Sequence, residues 1–433
     1  MNNLFEKSRS MLSAWKGDRY IFGCDVLPQI GKLASKYGKN ALLVCNASHM
    51  KSFGSVILDS LKGAGLELAG NCVVPGAAPN SPRADVYRIE TWILHYKPDL
   101  IVAAGGGSTI DACKAANFLA CLGSAVTPEI DHWFGTGIVS GALNKTGRKL
   151  IPLIAVQSSA SSGAHLTKYS NITDPAAGQK KLIVDDAIVP SASLFDYSLT
   201  ASMPGPVTID GILDSISHCF EVFTGLPPSS PKEKYALAAD LTDAAMRLAI
   251  GYAPAVIKNP ADMEARQAIG LASDLGAYAI MSGGTHGPHM TSFSLVDLAG
   301  HGTACGIMNP YYAVLFSPAI VKQLRLAAGI LKEYGYIKTG LDGLAGRDLG
   351  IAFAEGMTAF SRAIGAPATL AELPKWNDGY VAKIIEAAKD PQLELKLKNM
   401  PVPLNASMVD EYIGPVVRAA VTGDFSKIKT MGK

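Results

Sequence analysis

Residues 98 to 117, PDLIVAAGGGSTIDACKAAN, constrain the chain more than any other stretch. An apolar run, Leu100 to Ala104, stops at three consecutive glycines, Gly105, Gly106 and Gly107. Ser108 and Thr109 follow, and then apolar and small residues at helical spacing through Phe118. This order reads as strand, tight turn and helix start. Glycine lets the backbone come close to a ligand, and a helix N-terminus offers unpaired N–H groups with a partial positive charge. An anionic phosphate is the natural guest of such a turn; a strand–helix junction with no ligand has the same pattern. The string is neither G-x-G-x-x-G nor a Walker A loop, so those nucleotide fingerprints do not apply directly.

The neighbouring stretches supply the sheet that such a turn needs. Strand signals near Tyr20, at Asn40 to Val44 and at Leu66 to Val74 alternate with helical patterns up to Tyr37, at Phe53 to Gly63 and at Ala84 to Tyr96. Strands alternating with helices imply βαβ units and a mostly parallel, doubly wound sheet. Ligands of such sheets bind beyond the carboxyl ends of the strands, where both Asn46 and the glycine turn fall. Residues 122 to 150, with their Gly, Thr and Ser, read as an irregular excursion. A strand at Leu150 to Val156 precedes SSASSGAH, in which Ser158, Ser159 and Ser162 offer hydroxyls beside Gly163. That run is either a ligand-contacting segment or a Ser-rich turn. KLIVDDAIVP is strand-like, and the first domain closes near residue 203.

Bulk properties narrow the class. A chain of 433 residues predicts two domains, and 48% hydrophobic with 18% charged residues describes a large globular core. The net charge of +2 argues against a nucleic-acid or anionic-membrane partner. No apolar run is long enough to span a bilayer, and the first twenty residues lack the apolar segment of a signal peptide. Seven scattered cysteines without a C-x-x-C pair fit reduced thiols in a cytoplasm.

The second half changes character. Glu233 to Ile250, Met263 to Ile280, Val314 to Leu331 and Leu349 to Ile364 carry helical periodicity with few strand signals, predicting an all-α second domain. Its first helix contains DGILDSISHCFEVFTG, where Asp214 and His218 are i and i+4 and share one face. Apolar Ile212, Leu213, Ile216 and Phe220 surround them, so the pair needs either mutual hydrogen bonding or a cation. Glu221 extends the same face, as a supporting partner or as its solvated end. Further on, His286, His289 and His301 fall within 16 residues. Carboxylate and imidazole ligands together suit Fe²⁺, Zn²⁺ or another divalent first-row ion.

These motifs resemble, in order, those of the iron-containing (group III) alcohol dehydrogenase family. GGGSTIDACK is similar to its GGGS-x-x-D-x-x-K signature, which Asp111 and Lys114 complete. SSASSGAH is similar to its TTAGTGSE segment, with His165 in place of the family's Glu. DSISHCFE resembles D-A-x-x-H-x-x-E, HGTACGIMNPYY resembles its H-G segment, and KNMPVPLNASMVDEYIGPVVRAA resembles its closing turn and helix. The resemblance implies a dinucleotide-binding α/β domain, 1–203, a helical metal-binding domain, 204–433, and an active site in the cleft between them. It implies cofactor contacts from Asn46, Gly105, Gly106, Gly107, Ser108, Asp111, Ser158, Ser159 and Ser162. Lys114 is either part of that signature or a solvated helix residue.

Asp214, His218 and His301 carry over as metal ligands. The family's H-x-x-x-H does not: His286 and His289 are three apart. Pro288 sets His289 at the start of a helix, which favours His289 as the fourth ligand and leaves His286 as the extra active-site imidazole; the opposite assignment stays open. NAD-preferring members carry an Asp where Asn46 stands, so NAD and NADP are both allowed. The implied activity is reversible oxidation of an alcohol with a divalent metal, iron first and zinc second. Around the histidines the sequence offers only Met290, Phe293 and Leu295, which suits a small uncharged alcohol. A homodimer or higher homo-oligomer is expected. The alternatives are a sister enzyme of the glycerol-1-phosphate dehydrogenase or dehydroquinate synthase type, and a non-catalytic nucleotide-binding protein.

Overall fold

A computed structural model describes residues 2–123, 129–174, 178–227 and 229–432. Two compact units emerge, one made of Ser10–Ser202 and the other of Met203–Lys433 together with Met1–Arg9. The first nine residues therefore group with the helical unit, although the sequence offers no reason to separate them from the α/β half.

The α/β unit holds a six-stranded, wholly parallel sheet of β1 (Tyr20–Gly23), β2 (Asn40–Cys45), β3 (Glu67–Val74), β4 (Leu100–Gly105), β6 (Leu153–Gln157) and β9 (Ala192–Asp196). The strand order is β1-β9-β6-β4-β2-β3. Its central strands are apolar throughout because both faces are covered. Leu42, Val44, Ile101, Ala103 and Ala155 point into one core beneath the helices Arg83–Tyr96 and Gly107–Leu122. The residues between them, Leu43, Val102 and Ile154, point into a second core beneath Ile30–Ala34 and Ser55–Gly63. Chain direction across the sheet reverses between β2 and β4, the point at which doubly wound sheets bind ligands.

Three stretches depart from the sequence reading. Within 122 to 150, the described residues include a helix, Ile138–Thr146, closed by Gly147 in the left-handed region, and the short strand β5 (Gly135–Thr136). Residues 124–128 of that excursion lie outside the described ones. β7 (Tyr169–Asp174) pairs antiparallel with β8 (Gln179–Val184), forming with β5 a second, three-stranded sheet.

The helical unit stacks Gly205–Gly225, Lys232–Lys258 and Met263–Ser282 against one another, with His301–Phe316 packed on the first of them. The single helix expected over Val314 to Leu331 is two, His301–Phe316 and Val321–Glu333. Pro318 stands in the break, where it has no N–H for a continuing helix. Among the described residues no helix is long and apolar enough to cross a membrane.

Candidate active site

β4 ends at Gly105, and the helix Gly107–Leu122 starts without any side-chain cap, which leaves its first amides for a ligand. Neighbouring strands β4 and β6 place Gly105 beside Gln157, so the Ser158–Ser162 segment emerges next to the glycine turn. Ser158 donates its N–H to the Gly105 carbonyl at 3.0 Å. A Cβ on Gly106 would stand 3.2 Å from Ser159 Oγ, and one on Gly107 only 2.3 Å from Ser162 Oγ. The glycines are thus required for the close approach of two serine hydroxyls. The turn and the serines, fifty residues apart in sequence, form one cradle.

The loop between β3 and the helix Arg83–Tyr96 completes this wall. Asn80 N–H donates to Ser108 Oγ at 3.0 Å, Ser81 Oγ donates to the Ser108 carbonyl at 2.6 Å, and Ala77 N–H donates to Thr109 Oγ1 at 3.2 Å. Asn80 and Ser81 both have positive φ, 66° and 48°, a conformation that non-glycine residues hold only where surroundings impose it. The signal available in the sequence is PNSP, a turn string. Asn46, at the end of β2, donates its side-chain amide to the Ala77 carbonyl at 3.1 Å, which joins it to the same loop.

Asp111 does not face the turn. It is buried, accepts the Asn171 N–H at 3.0 Å and stands 3.6 Å from Lys114 Nζ. Burial raises its carboxyl above the ordinary range, with the Lys114 charge opposing. It ties the helix to β7. Lys114 is no solvated residue either. Its buried ammonium donates to the carbonyls of Thr167 and Tyr169 at 2.9 and 2.7 Å.

In the helical unit, four side chains from three helices converge. Asp214 and His218 project from Gly205–Gly225, His289 from Gly287–Ser292 and His301 from the first turn of His301–Phe316. One ligand atom from each lies within 4.8 Å of all the others. The Nε2 atoms of His218, His289 and His301 stand 3.5, 3.8 and 3.9 Å from Asp214 Oδ1. Two glycines permit this approach. A Cβ on Gly302 would meet the Asp210 carbonyl at 2.0 Å and Asp214 Cβ at 2.6 Å, and one on Gly300 the Asp210 carboxylate at 2.2 Å.

The opposite ring nitrogens of two of the histidines are held by the protein. His289 Nδ1 bonds Glu221 Oε1 at 2.6 Å, and His301 Nδ1 bonds Ser292 Oγ at 3.0 Å. Such partners fix the tautomer and turn Nε2 towards a metal. Glu221 is fully buried and also accepts the N–H groups of His286 and His289, at 2.9 and 3.4 Å. Burial, then the charges of His289 and Lys396, hold His218 well below its usual range and therefore neutral, the form that binds a cation. Three imidazoles and one carboxylate are a donor set suited to Fe²⁺ or Zn²⁺. The residues present fit the metal.

His286 lies outside this cluster. Its Nδ1 accepts the Gly287 N–H at 2.8 Å, and its Nε2 bonds Thr224 Oγ1 at 2.9 Å. Burial lowers it to about 4. Both nitrogens are thus engaged within the protein. A group that the sequence did not bring near the histidines is Lys396: its buried ammonium lies 5.7 Å above the Phe293 ring, and that ring stacks on His301 at 6.1 Å.

Residues 17–197 match the family model described as iron-containing alcohol dehydrogenase. An NAD-dependent methanol dehydrogenase of Bacillus methanolicus is 25% identical, over 82% of this chain and 87% of that protein. A mitochondrial hydroxyacid-oxoacid transhydrogenase of Rattus norvegicus is 30% identical, over 46% of this chain and 44% of that one. Among solved structures, an archaeal alcohol dehydrogenase from a Red Sea brine pool shares the fold, with a TM-score of 0.78 at 21% identity, covering 93% of this chain and 96% of that one. The fold sets out two units, one with a glycine and serine turn at the strand ends and one with three histidines and an aspartate converging on one point. The chain is similar to iron-containing alcohol dehydrogenases, with the family model matching its α/β part.

Proposed function

We propose that this protein is a metal-dependent NAD(P) alcohol dehydrogenase that interconverts a small alcohol and its aldehyde. The observation that carries the reading is the convergence of Asp214, His218, His289 and His301 on one point of the helical unit. A divalent ion held there, iron in the first place and zinc as the other option, supplies a Lewis acid for the hydroxyl oxygen. Glu221 and Ser292 hold His289 and His301 in the orientation that this requires. The nucleotide supplies the hydride chemistry, and the chain's task is to place it. The pyrophosphate would sit at the amides of the helix after Gly106, with the hydroxyls of Ser158, Ser159 and Ser162 beside it. Neutral Asn46 does not repel a 2′-phosphate, so NADP is accepted as well as NAD. The seven cysteines form no disulfide with one another, in keeping with a reducing compartment such as the cytoplasm, and the protein would act there as a homo-oligomer.

The test is oxidation of NADH and NADPH by anaerobically purified protein with a panel of short aldehydes, before and after chelation. Turnover that disappears on chelation and returns with Fe²⁺ or Zn²⁺ supports the reading. Protein that binds nucleotide yet stays silent after both metals are added overturns it.

A further inference from the structure

Asp210 lies on the helix Gly205–Gly225 one turn before Asp214, which itself lies one turn before His218, so the three share one face. It is not one of the four residues whose ligand atoms meet. Asp210 is half-buried, and its carboxylate reaches the first turn of another ligand-bearing helix, His301–Phe316, where Oδ1 accepts the Thr303 N–H at 2.8 Å. That helix has Gly300 at its N-cap and therefore no side-chain cap of its own. An N-cap side chain bonds the N–H of the second or third helical residue, and Thr303 is the third. Asp210 supplies, from a neighbouring helix, the cap that Gly300 lacks.

The charge matters beside the bond. A helix N-terminus carries a partial positive charge, and His301 is the first residue of this helix. A divalent ion held by His301 meets that charge at short range. Among the four ligands only Asp214 is an anion, and the buried Lys396 adds a positive charge that is felt at His218. A second carboxylate at the helix end offsets part of this. Gly300 is what lets it stand there: a Cβ at that residue would meet Asp210 Oδ1 at 2.2 Å, Cγ at 2.6 Å and Oδ2 at 3.1 Å. The backbone of Gly300, with φ −59° and ψ 155°, is open to any residue, so the glycine answers to the carboxylate and not to the turn.

We propose that Asp210 is a positioning residue of the metal centre: it caps the helix that carries His301, and its charge offsets the positive end of that helix, so that the first residue can be presented to a dication. This rests on the metal-centre reading and goes beyond the four ligands and the groups that hold their ring nitrogens. Asp210 and Gly300 act as one device. Removing the carboxylate and pushing it aside with a methyl group at residue 300 therefore have the same consequence for the metal.

The Co²⁺ affinity of the full-length protein, measured by competition with a chromophoric chelator, and the visible absorption bands of the bound ion test this without turnover. Asp210→Asn keeps the acceptor but not the charge, and should keep the wild-type bands while binding roughly two- to fivefold more weakly. Asp210→Ala loses both, and should alter the bands and bind at least about tenfold more weakly. Gly300→Ala should match Asp210→Ala, and the double variant should be no weaker than either single one, because both changes remove the same contact. Unchanged affinity and bands in Asp210→Ala, even with a lower melting temperature of the metal-free protein, would leave Asp210 a structural cap and overturn the proposal. Full additivity of the two changes would overturn it as well. A wild type that binds neither Co²⁺ nor Fe²⁺ refutes the metal-centre reading, and this role with it; a wild type that loads no better than the Asp210 variants refutes the role alone.

Discussion

A histidine has two ring nitrogens, and the one that meets a metal is decided by what holds the other. Glu221 holds Nδ1 of His289 and Ser292 holds Nδ1 of His301, whereas both nitrogens of His286 are engaged away from the cluster. Glu221→Gln should therefore weaken metal binding by roughly 10–100-fold, measured by competition with a chromophoric chelator; unchanged affinity would remove Glu221 from the account. Lys396 gives a pH signature in the metal-free protein. Desolvation lowers its folded pKa from 10.5 to about 8, so between those values the unfolded chain binds a proton that the folded chain has shed. Stability from this group is lowest below the folded value and rises with pH through that window. Lys396→Met should flatten the rise, as read by urea midpoints at successive pH values, while Glu221, Cys305, His218 and His286 remain common to both proteins. Residue identities around the metal were legible in the i, i+4 spacing of Asp214 and His218 and in the H-G pair at His301. Lys396 was not, because it is ninety-five residues from His301 and comes near its aromatic neighbour only through folding.

Elements explain why particular glycines stand where they do. The helix His301–Phe316 lies so close to Gly205–Gly225 that a Cβ on Gly302 would collide with the Asp210 carbonyl and Asp214 Cβ, neither of which can rotate away. Gly302→Ala should cost about 1–3 kcal/mol of stability in chemical denaturation and lose metal with it. In Gly107→Ala the severe contact, 2.3 Å, is with the rotatable hydroxyl of Ser162, and Ser162 Cβ at 3.1 Å has only to give by a few tenths of an ångström, so the fold should survive while nucleotide binding, read by fluorescence titration, weakens. Equal loss of stability in both variants would contradict this distinction. Strands β2 and β4 were readable from unbroken apolar runs buried on both faces. β7, YSNITD, was hidden because it is polar and belongs to a small side sheet, and the helix Ile138–Thr146 because Gly, Ser and Asn interrupt its pattern.

At the scale of the whole molecule, the parallel sheet and the helical bundle each bring together what the sequence separates. β4 and β6 are neighbours, so the glycine turn meets the serines; the helices Gly205–Gly225, Gly287–Ser292 and His301–Phe316 pack so that four ligands meet. Fold class and order of units could be read from strand–helix alternation followed by helices alone. The choice between His286 and His289 could not, because a three-residue spacing fits either histidine until packing against Glu221 is known. The central claim is that Asp214, His218, His289 and His301 hold one metal ion. Elemental analysis of anaerobically purified wild type, His289→Ala and His286→Ala tests it most directly. One equivalent of iron or zinc per chain in the wild type and His286→Ala, and none in His289→Ala, is the predicted result; metal retained by His289→Ala but lost from His286→Ala, or absent from the wild type even after reconstitution, would contradict it.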